Sequence, residues 1–176
     1  MRVRKARPED WEACAALDHT VITDHAWRME IRDHEGKMAV AFETVRLPRP
    51  VCLPYPRQDE DLVEGWDGCD LFLVLEISRH ICGYVTARSL PGHGVAWIQD
   101  LVVDGRWRRE GLGSHLLQEA TEWARRNGLA RLVAETSTKN YPAICFLRSN
   151  GWSLCGYVDQ YWRTRDIALL FGRSLR

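Results

Sequence analysis

The chain has 176 residues, 45% of them hydrophobic, which is the size of one domain with enough apolar material for a core. Its 24 basic and 24 acidic side chains cancel. That balance gives no electrostatic case for nucleic acid or a membrane surface as partner.

Val3 to Ala6 reads as a first strand, and Pro8-Glu9-Asp10 opens a helix carrying Trp11, Ala13, Cys14, Ala16 and Leu17. Val21 to Ile31 reads as a second, weaker helix, and Met38 to Val45 alternates as a strand. Residues 45–70 read as an excursion: a proline-broken stretch up to Pro56, then an acidic one from Asp59 to Asp70. The prolines exclude a helix and argue for a loop or an edge. Leu71 to Ile77 and Ile81 to Ser89 are short apolar strands, with His80 at the turn between them. Val95 to Val103 is another strand, and from about Gly111 to Asn127 the positions Leu112, Leu116, Leu117, Ala120, Trp123 and Ala124 recur at helical spacing. Ala130 to Thr136 is a strand, Asn140-Tyr-Pro-Ala starts a short helix ending at Asn150-Gly151, and Trp152 to Val158 and Ile167 to Phe171 close the chain as strands. This order predicts a mixed α/β fold, one sheet with helices packed on it, in a single domain over residues 1–176.

The opening Met1 to Trp11 is too polar for a signal peptide, and no apolar run approaches bilayer length, so a cytoplasmic protein is expected. The six cysteines form no CxxC pair and read as free thiols, and the six histidines show no metal-ligand spacing, so no metal is expected.

The most informative run is Arg108-Arg109-Glu110-Gly111-Leu112-Gly113-Ser114, between an apolar strand and an amphipathic helix. Unpaired N–H groups and the positive dipole end of a helix favour a phosphate there, and glycine lets the backbone approach it. Arg108 and Arg109 add charge for the same anion. The alternative is a strand–turn–helix joint without a ligand. Two better-known phosphate loops are excluded: Leu116 stands where a dinucleotide fingerprint needs its third glycine, and no Gly-Lys-Ser/Thr occurs.

Arg-x-x-Gly-x-Gly after Ile98-Gln-Asp-Leu-Val-Val103 resembles the pyrophosphate loop of the GNAT acyltransferase superfamily. The C-terminal half is similar to its streptothricin acetyltransferase branch, through Ile98 to Asp104, Trp123-Ala124, Glu135-Thr136, Asn140 with Ala143, Gly156 to Asp159 and Ile167 to Phe171. The resemblance implies a central, mostly antiparallel sheet flanked by helices, with acetyl-CoA as co-substrate. It also implies that backbone N–H groups of Arg109 to Ser114, Gly111, Leu112 and Gly113 among them, hold the pyrophosphate. The pantetheine arm then pairs with the backbone of Leu101, Val102 and Val103. Asn140 stands where the family holds the cofactor, and is equally suited to cap the helix behind it. Ala143 and Phe146 would pack on the pantetheine arm, with core packing as the alternative for Phe146.

The acceptor amine, with a pKa of about 10, must lose a proton before it attacks. Asp100 is the candidate base, directly or through water, or else a structural carboxylate. Gln99 occupies the first acidic position of the family motif and cannot serve. Successive strand residues face opposite sides, so if position 99 faces the site, Asp100 does not. Leu147 replaces the family's general-acid tyrosine, and Tyr141, Cys145, Tyr157 and Tyr161 are the candidate substitutes. The acidic stretch Asp59 to Glu64 with Asp67 and Asp70, beside Tyr55 and Trp66, offers a wall for a cationic amine, and Asp159 with Tyr157 and Tyr161 the opposite one. The alternative is a solvated charged surface. The expected reaction acetylates a primary amine of a small cationic acceptor, a streptothricin-like antibiotic or an amine metabolite. The alternatives are a protein N-terminal or lysyl acetyltransferase and an acyl-CoA-binding sensor, and a homodimer remains open.

Overall fold

A computed structural model describes residues 1–57 and 59–175, with the backbone alone for 59–61. Strands β1 (Arg2–Lys5), β4 (Leu71–Ile77), β5 (His80–Leu90), β6 (Val95–Val103), β7 (Arg131–Ser137), β8 (Ser153–Val158) and β9 (Ala168–Ser174) form one sheet in the order β1-β4-β5-β6-β7-β9-β8. Its helices are α1 (Trp11–Ala15), α2 (Asp59–Trp66), α3 (Leu112–Arg126) and α4 (Tyr141–Ser149). All neighbours are antiparallel except β6 and β7, which the α3 crossover makes parallel. No helix among the described residues is long and apolar enough to cross a membrane.

Alternation along the strands fills both faces. In β4, Leu71 and Leu75 turn to one side and Val74 to the other. On the first side, Leu112, Leu116, Leu117, Ala120 and Ala124 of α3, at helical spacing, pack with Ile144 and Leu147 of α4. On the second side, Cys14 of α1 and Leu62 and Trp66 of α2 cover Val74, Tyr84 and Val102.

Two segments differ from the sequence expectation. Residues read as a weak helix over 21–31 form strand β2 (Val21–His34), paired with β3 (Lys37–Leu53) in a separate two-stranded ribbon. Trp27, Met29 and Ile31 lie opposite Thr44, Phe42 and Val40, while Arg28, Glu30 and Arg32 take the other face, a period of two. The Glu35-Gly36 turn, with φ of 48° and 78°, suits a tight hairpin. The ribbon is pinned where the Trp27 N–H donates to the Thr138 carbonyl at 2.8 Å and the Trp27 ring stacks on Phe42, with Phe171 6.2 Å away. The prolines end up in β3 itself. Asp24 alone spans the stretch occupied on β3 by Leu47, Pro48, Arg49 and Pro50, so Pro48 and Pro50 sit in a bulge where no ladder hydrogen bond is required. The acidic run is the other correction: residues 59–66 are helix α2 rather than loop, anchored by the i, i+4 pair Leu62 and Trp66.

Candidate active site

The parallel pairing of β6 with β7 lasts only from Val95↔Arg131 to Ile98↔Ala134. Both strands continue past it, to Val103 and Ser137, without pairing to each other. Between their diverging ends lies a split with backbone edges on both sides, open to an extended ligand.

On the α3 side, Asp104 ends β6 and caps a short turn, its Oδ1 accepting from the Arg106 N–H at 3.2 Å. The loop that follows reverses at Arg109 (φ 71°) and Gly111 (φ 80°), both left-handed. Gly111 is the N-cap of α3, and the first helical bond runs from the His115 N–H to the Gly111 carbonyl. The amides of Leu112, Gly113 and Ser114 therefore precede the helical ladder and face outward at its positive end. The two glycines serve different needs. A Cβ on Gly111 would meet nothing, so its glycine answers to φ; one on Gly113 would come within 3.2 Å of the Phe146 ring, so that glycine joins α3 to α4. A depression of about 460 Å³ starts at Gly111, Ser114 and His115 and runs to Asn150 and Arg173.

The two arginines of this loop diverge. Arg109 is exposed beside the amides. Arg108 turns away, donating to the carbonyls of Val103 (2.8 Å), Thr20 (2.6 Å) and Asp18 (2.6 Å), and so braces the loop instead of facing an anion. Asn140 caps α4, its Oδ1 accepting from the Ala143 N–H at 3.2 Å. Leu101, Val103 and Phe146 are partly buried against the α3-side core, and Val102 faces the other way.

A bulge decides which residues of β6 face away from α3. Thr86 pairs with Asp100 and Ala87 with Ile98, which leaves Gln99 as the extra residue of β6. Ile98 and Leu101 consequently share the α3 face, three positions apart, and Asp100 and Val102 turn to the opposite one. Asp100 is 2% exposed. Its Oδ1 accepts from the Tyr55 hydroxyl and the Arg57 guanidinium, each at 2.5 Å, and its Oδ2 from the Thr86 hydroxyl at 2.7 Å. Arg57 also donates to the Gln99 carbonyl. Burial, then the Asp100 charge, push the Tyr55 phenol well up. Asp100 thus holds the 55–57 segment on β6, with both of its oxygens already accepting hydrogen bonds.

Glu135, on β7, stands at the split and was not among the candidate residues singled out from the sequence. It is the first residue beyond the last β6–β7 pair. Leu132 and Ala134 face the α3-side core, so Glu135 faces away from α3. Burial holds its carboxyl above the usual carboxylate range, against the opposing pull of a Tyr161 hydrogen bond and the Arg57 charge. The available signal was a lone acid inside the uncharged stretch Leu132 to Thr138.

Other expected residues lie apart. Trp66 is buried under α1 and α2, 5.4 Å from the Tyr84 ring, and lines no acceptor surface. Tyr141 packs on His25 of the ribbon (5.3 Å), Tyr157 on Phe42 (5.9 Å), and Asp159 is exposed, accepting from the Gln160 N–H. Leu147 is 4% exposed in the core, and Cys145 is exposed. Glu64 and Asp67 are exposed, Asp70 accepts from Ser89, and the side chains of Asp59 to Asp61 lie outside the described residues.

The family described as acetyltransferase (GNAT) matches residues 39–152. The chain belongs to the GNAT acetyltransferase family. Across 87% of its length it is 27% identical to the streptothricin acetyltransferase of Streptomyces lavendulae, covering 82% of that protein. Across 70% it is 28% identical to streptothricin acetyltransferase A of Bacillus subtilis strain 168, covering 75% of it. The crystal structure of nourseothricin acetyltransferase superposes with a TM-score of 0.84 at 25% identity, covering 99% of this chain and 98% of that one. A Bacillus anthracis protein solved with acetyl coenzyme A shares the fold, with a TM-score of 0.78 at 16% identity over 98% of each chain. As a GNAT enzyme the protein is an acetyl-CoA-dependent N-acetyltransferase. The outward amides of α3 suit the cofactor's pyrophosphate, and the split suits its extended arm.

Proposed function

We propose that this GNAT enzyme acetylates a primary amine on a small cationic molecule of the streptothricin type, in the cytoplasm. The observation that carries this reading is similarity to two streptothricin acetyltransferases over most of both chains. In this reading the amides of Arg109 to Ser114 hold the pyrophosphate. The backbone of Leu101 to Val103, with Ala143 and Phe146, lines the pantetheine arm, and Asn140 fixes the start of α4 beside it. The deprotonated amine attacks the thioester carbonyl, and the thiolate leaves. A thiol pKa near 8.5 makes that departure tolerable without a tyrosine at position 147.

A panel assay following CoA release tests the acceptor. Streptothricin and small polyamines are expected to be turned over. Activity on peptide N-termini or lysines with none on small amines would overturn the reading.

A further inference from the structure

We propose that His19 is a positioning residue of the transfer: it joins the cofactor loop to the 55–57 segment at the start of the split, so that acetyl-CoA and the amine bind with positive coupling. The cofactor half rests on the family's co-substrate, and the amine half on the acceptor reading above.

The joint begins in the connection between β6 and α3. Arg108 sends its guanidinium to the carbonyls of Asp18 and Thr20, at 2.6 Å each. On the same turn, Asp104 accepts from the Asp18 N–H at 3.3 Å. Gly105 lies so near that a Cβ there would stand 2.7 Å from the Asp18 carboxylate. Its φ is not left-handed, so this glycine answers to the close approach. Residues 18–20 belong to no helix or strand, and these contacts fix where they lie.

His19 carries that position inward. Its Nδ1 stands 2.7 Å from the Leu17 carbonyl, which only accepts. The neutral ring therefore holds its proton on Nδ1, and Nε2 accepts from the Tyr84 hydroxyl at 3.0 Å. Tyr84 is fully buried on β5. The same His19 ring stands edge-on to Tyr55, with centroids 5.1 Å apart. Tyr55 donates to Asp100, and Arg57 donates both to Asp100 and to the Gln99 carbonyl. Gln99 is the first residue of β6 beyond its last pair with β7. The Arg57 charge reaches Glu135 across the split. An unbroken run of contacts thus leads from the cofactor loop to the split, on the face that α3 does not cover.

The consequence follows from what the two ligands share. Holding the pyrophosphate immobilises the loop, and through Arg108 the 18–20 segment with it. His19 then steadies Tyr55 and Arg57 before the amine arrives, so the amine has less of that ordering left to impose. The effect is reciprocal: the factor by which acetyl-CoA tightens the amine is the factor by which the amine tightens acetyl-CoA. His19 acts through Tyr84 and Tyr55, not on either ligand.

The test uses the full chain, with CoA as the cofactor probe and streptothricin and putrescine as amines. In the wild type, CoA alone is expected to slow hydrogen exchange at Tyr55 and Arg57 as well as in its own loop. His19→Phe keeps a ring and loses both hydrogen bonds. It is expected to keep the loop protection and the thermal shift given by acetyl-CoA, and to lose the protection at Tyr55 and Arg57. Its KM for the amine should rise by about 5-fold or more at unchanged kcat. Tyr84→Phe removes the same hydrogen bond from its other end and should act alike, with no further loss in the double variant. His19→Gln retains an oxygen that accepts from Tyr84 and should restore the protection. The assignment is overturned if CoA protects its loop but not Tyr55 and Arg57 in the wild type, or if that protection survives in both single variants. A joint fall of kcat, amine affinity and acetyl-CoA shift in His19→Phe would also overturn it, as the mark of a merely structural side chain. Protection of Tyr55 and Arg57 that depends on His19, with neither amine acetylated, would bear out the joint and sink the acceptor reading alone.

Discussion

The two sides of the β6–β7 split are built on different principles. The α3 side presents backbone: three amides ahead of the helical ladder, two glycines in distinct roles, and strand edges left unpaired. The opposite side presents side chains: a sealed Asp100–Arg57–Tyr55–Thr86 cluster and the half-buried Glu135. A site made of backbone tolerates exchange of exposed side chains but not bulk or reversed charge. A site made of charged side chains responds to the removal of one atom pair. The first suits a ligand common to a whole family, the second a ligand that differs between members.

The largest effect is expected on the side-chain side. Asp100→Ala leaves the partly exposed Arg57 guanidinium without its carboxylate partner, and the roughly 3–5 kcal/mol cost of breaking a fully buried pair is the upper limit. Thermal denaturation should show a fall in Tm of up to roughly 6–20 °C, taking about 2–4 °C per kcal/mol for a chain this size. A change below about 2 °C would mean that the cluster does not hold the 55–57 segment in place. On the backbone side, Gly111→Asp puts a carboxylate at a left-handed position beside the amides. The apo protein should lose little beyond the strain. The stabilisation of about 2.7 kcal/mol expected from acetyl-CoA at 100 times its dissociation constant should vanish. A retained ligand shift in that variant would place the pyrophosphate elsewhere.

The smallest effect separates Glu135 from Asp70 by pH. Glu135 has a raised folded-state pKa, so its contribution favours the folded state below the unfolded value and is lost as pH rises through the folded one. Asp70 has a lowered pKa, chiefly through the Ser89 backbone and hydroxyl, so its contribution holds above the unfolded value and is lost as pH falls. Glu135→Gln should therefore denature at a slightly higher temperature than the wild type at pH 7 to 8, with the difference gone below about pH 4.5. Asp70→Asn should show the reverse, losing stability near neutrality and little at pH 3.

The element order and the core of α3 were legible because a 15-residue amphipathic helix repeats its apolar positions at one period with no interruption. The ribbon was not. Val21 to Ile31 carries apolar and charged residues in a stretch that fits either period, and the partner that decides between them, Val40 to Leu53, is itself interrupted by Pro48 and Pro50. Helix α2 was hidden by the prolines next to it, although Leu62 and Trp66 were in view. The phosphate loop could be located because its chemistry is local, a glycine pair at a helix start. The roles of Arg108, Asp100 and Glu135 could not, because each depends on residues dozens of positions away: Asp18 and Thr20, Tyr55 and Arg57, Trp97 and Tyr161.

The extra residue at Gln99 acts as a phase shift along β6. Upstream of it odd and even positions serve one pair of surfaces; downstream the assignment is exchanged. A deletion of this single residue would make the ladder regular, because Thr86↔Asp100 and Ala87↔Ile98 would become consecutive pairs and Asp100 and Leu101 would keep their present faces. Drawing Gln99 into the ladder instead would transpose the strand: Asp100 would rotate into the layer now filled by Leu116 and Leu117, and Leu101 would take the place beside Arg57. The bulge thus governs which side chain meets which surface, with no change in any residue's identity. A comparison of relatives that slides by one position here would hand the acid of one surface to the other.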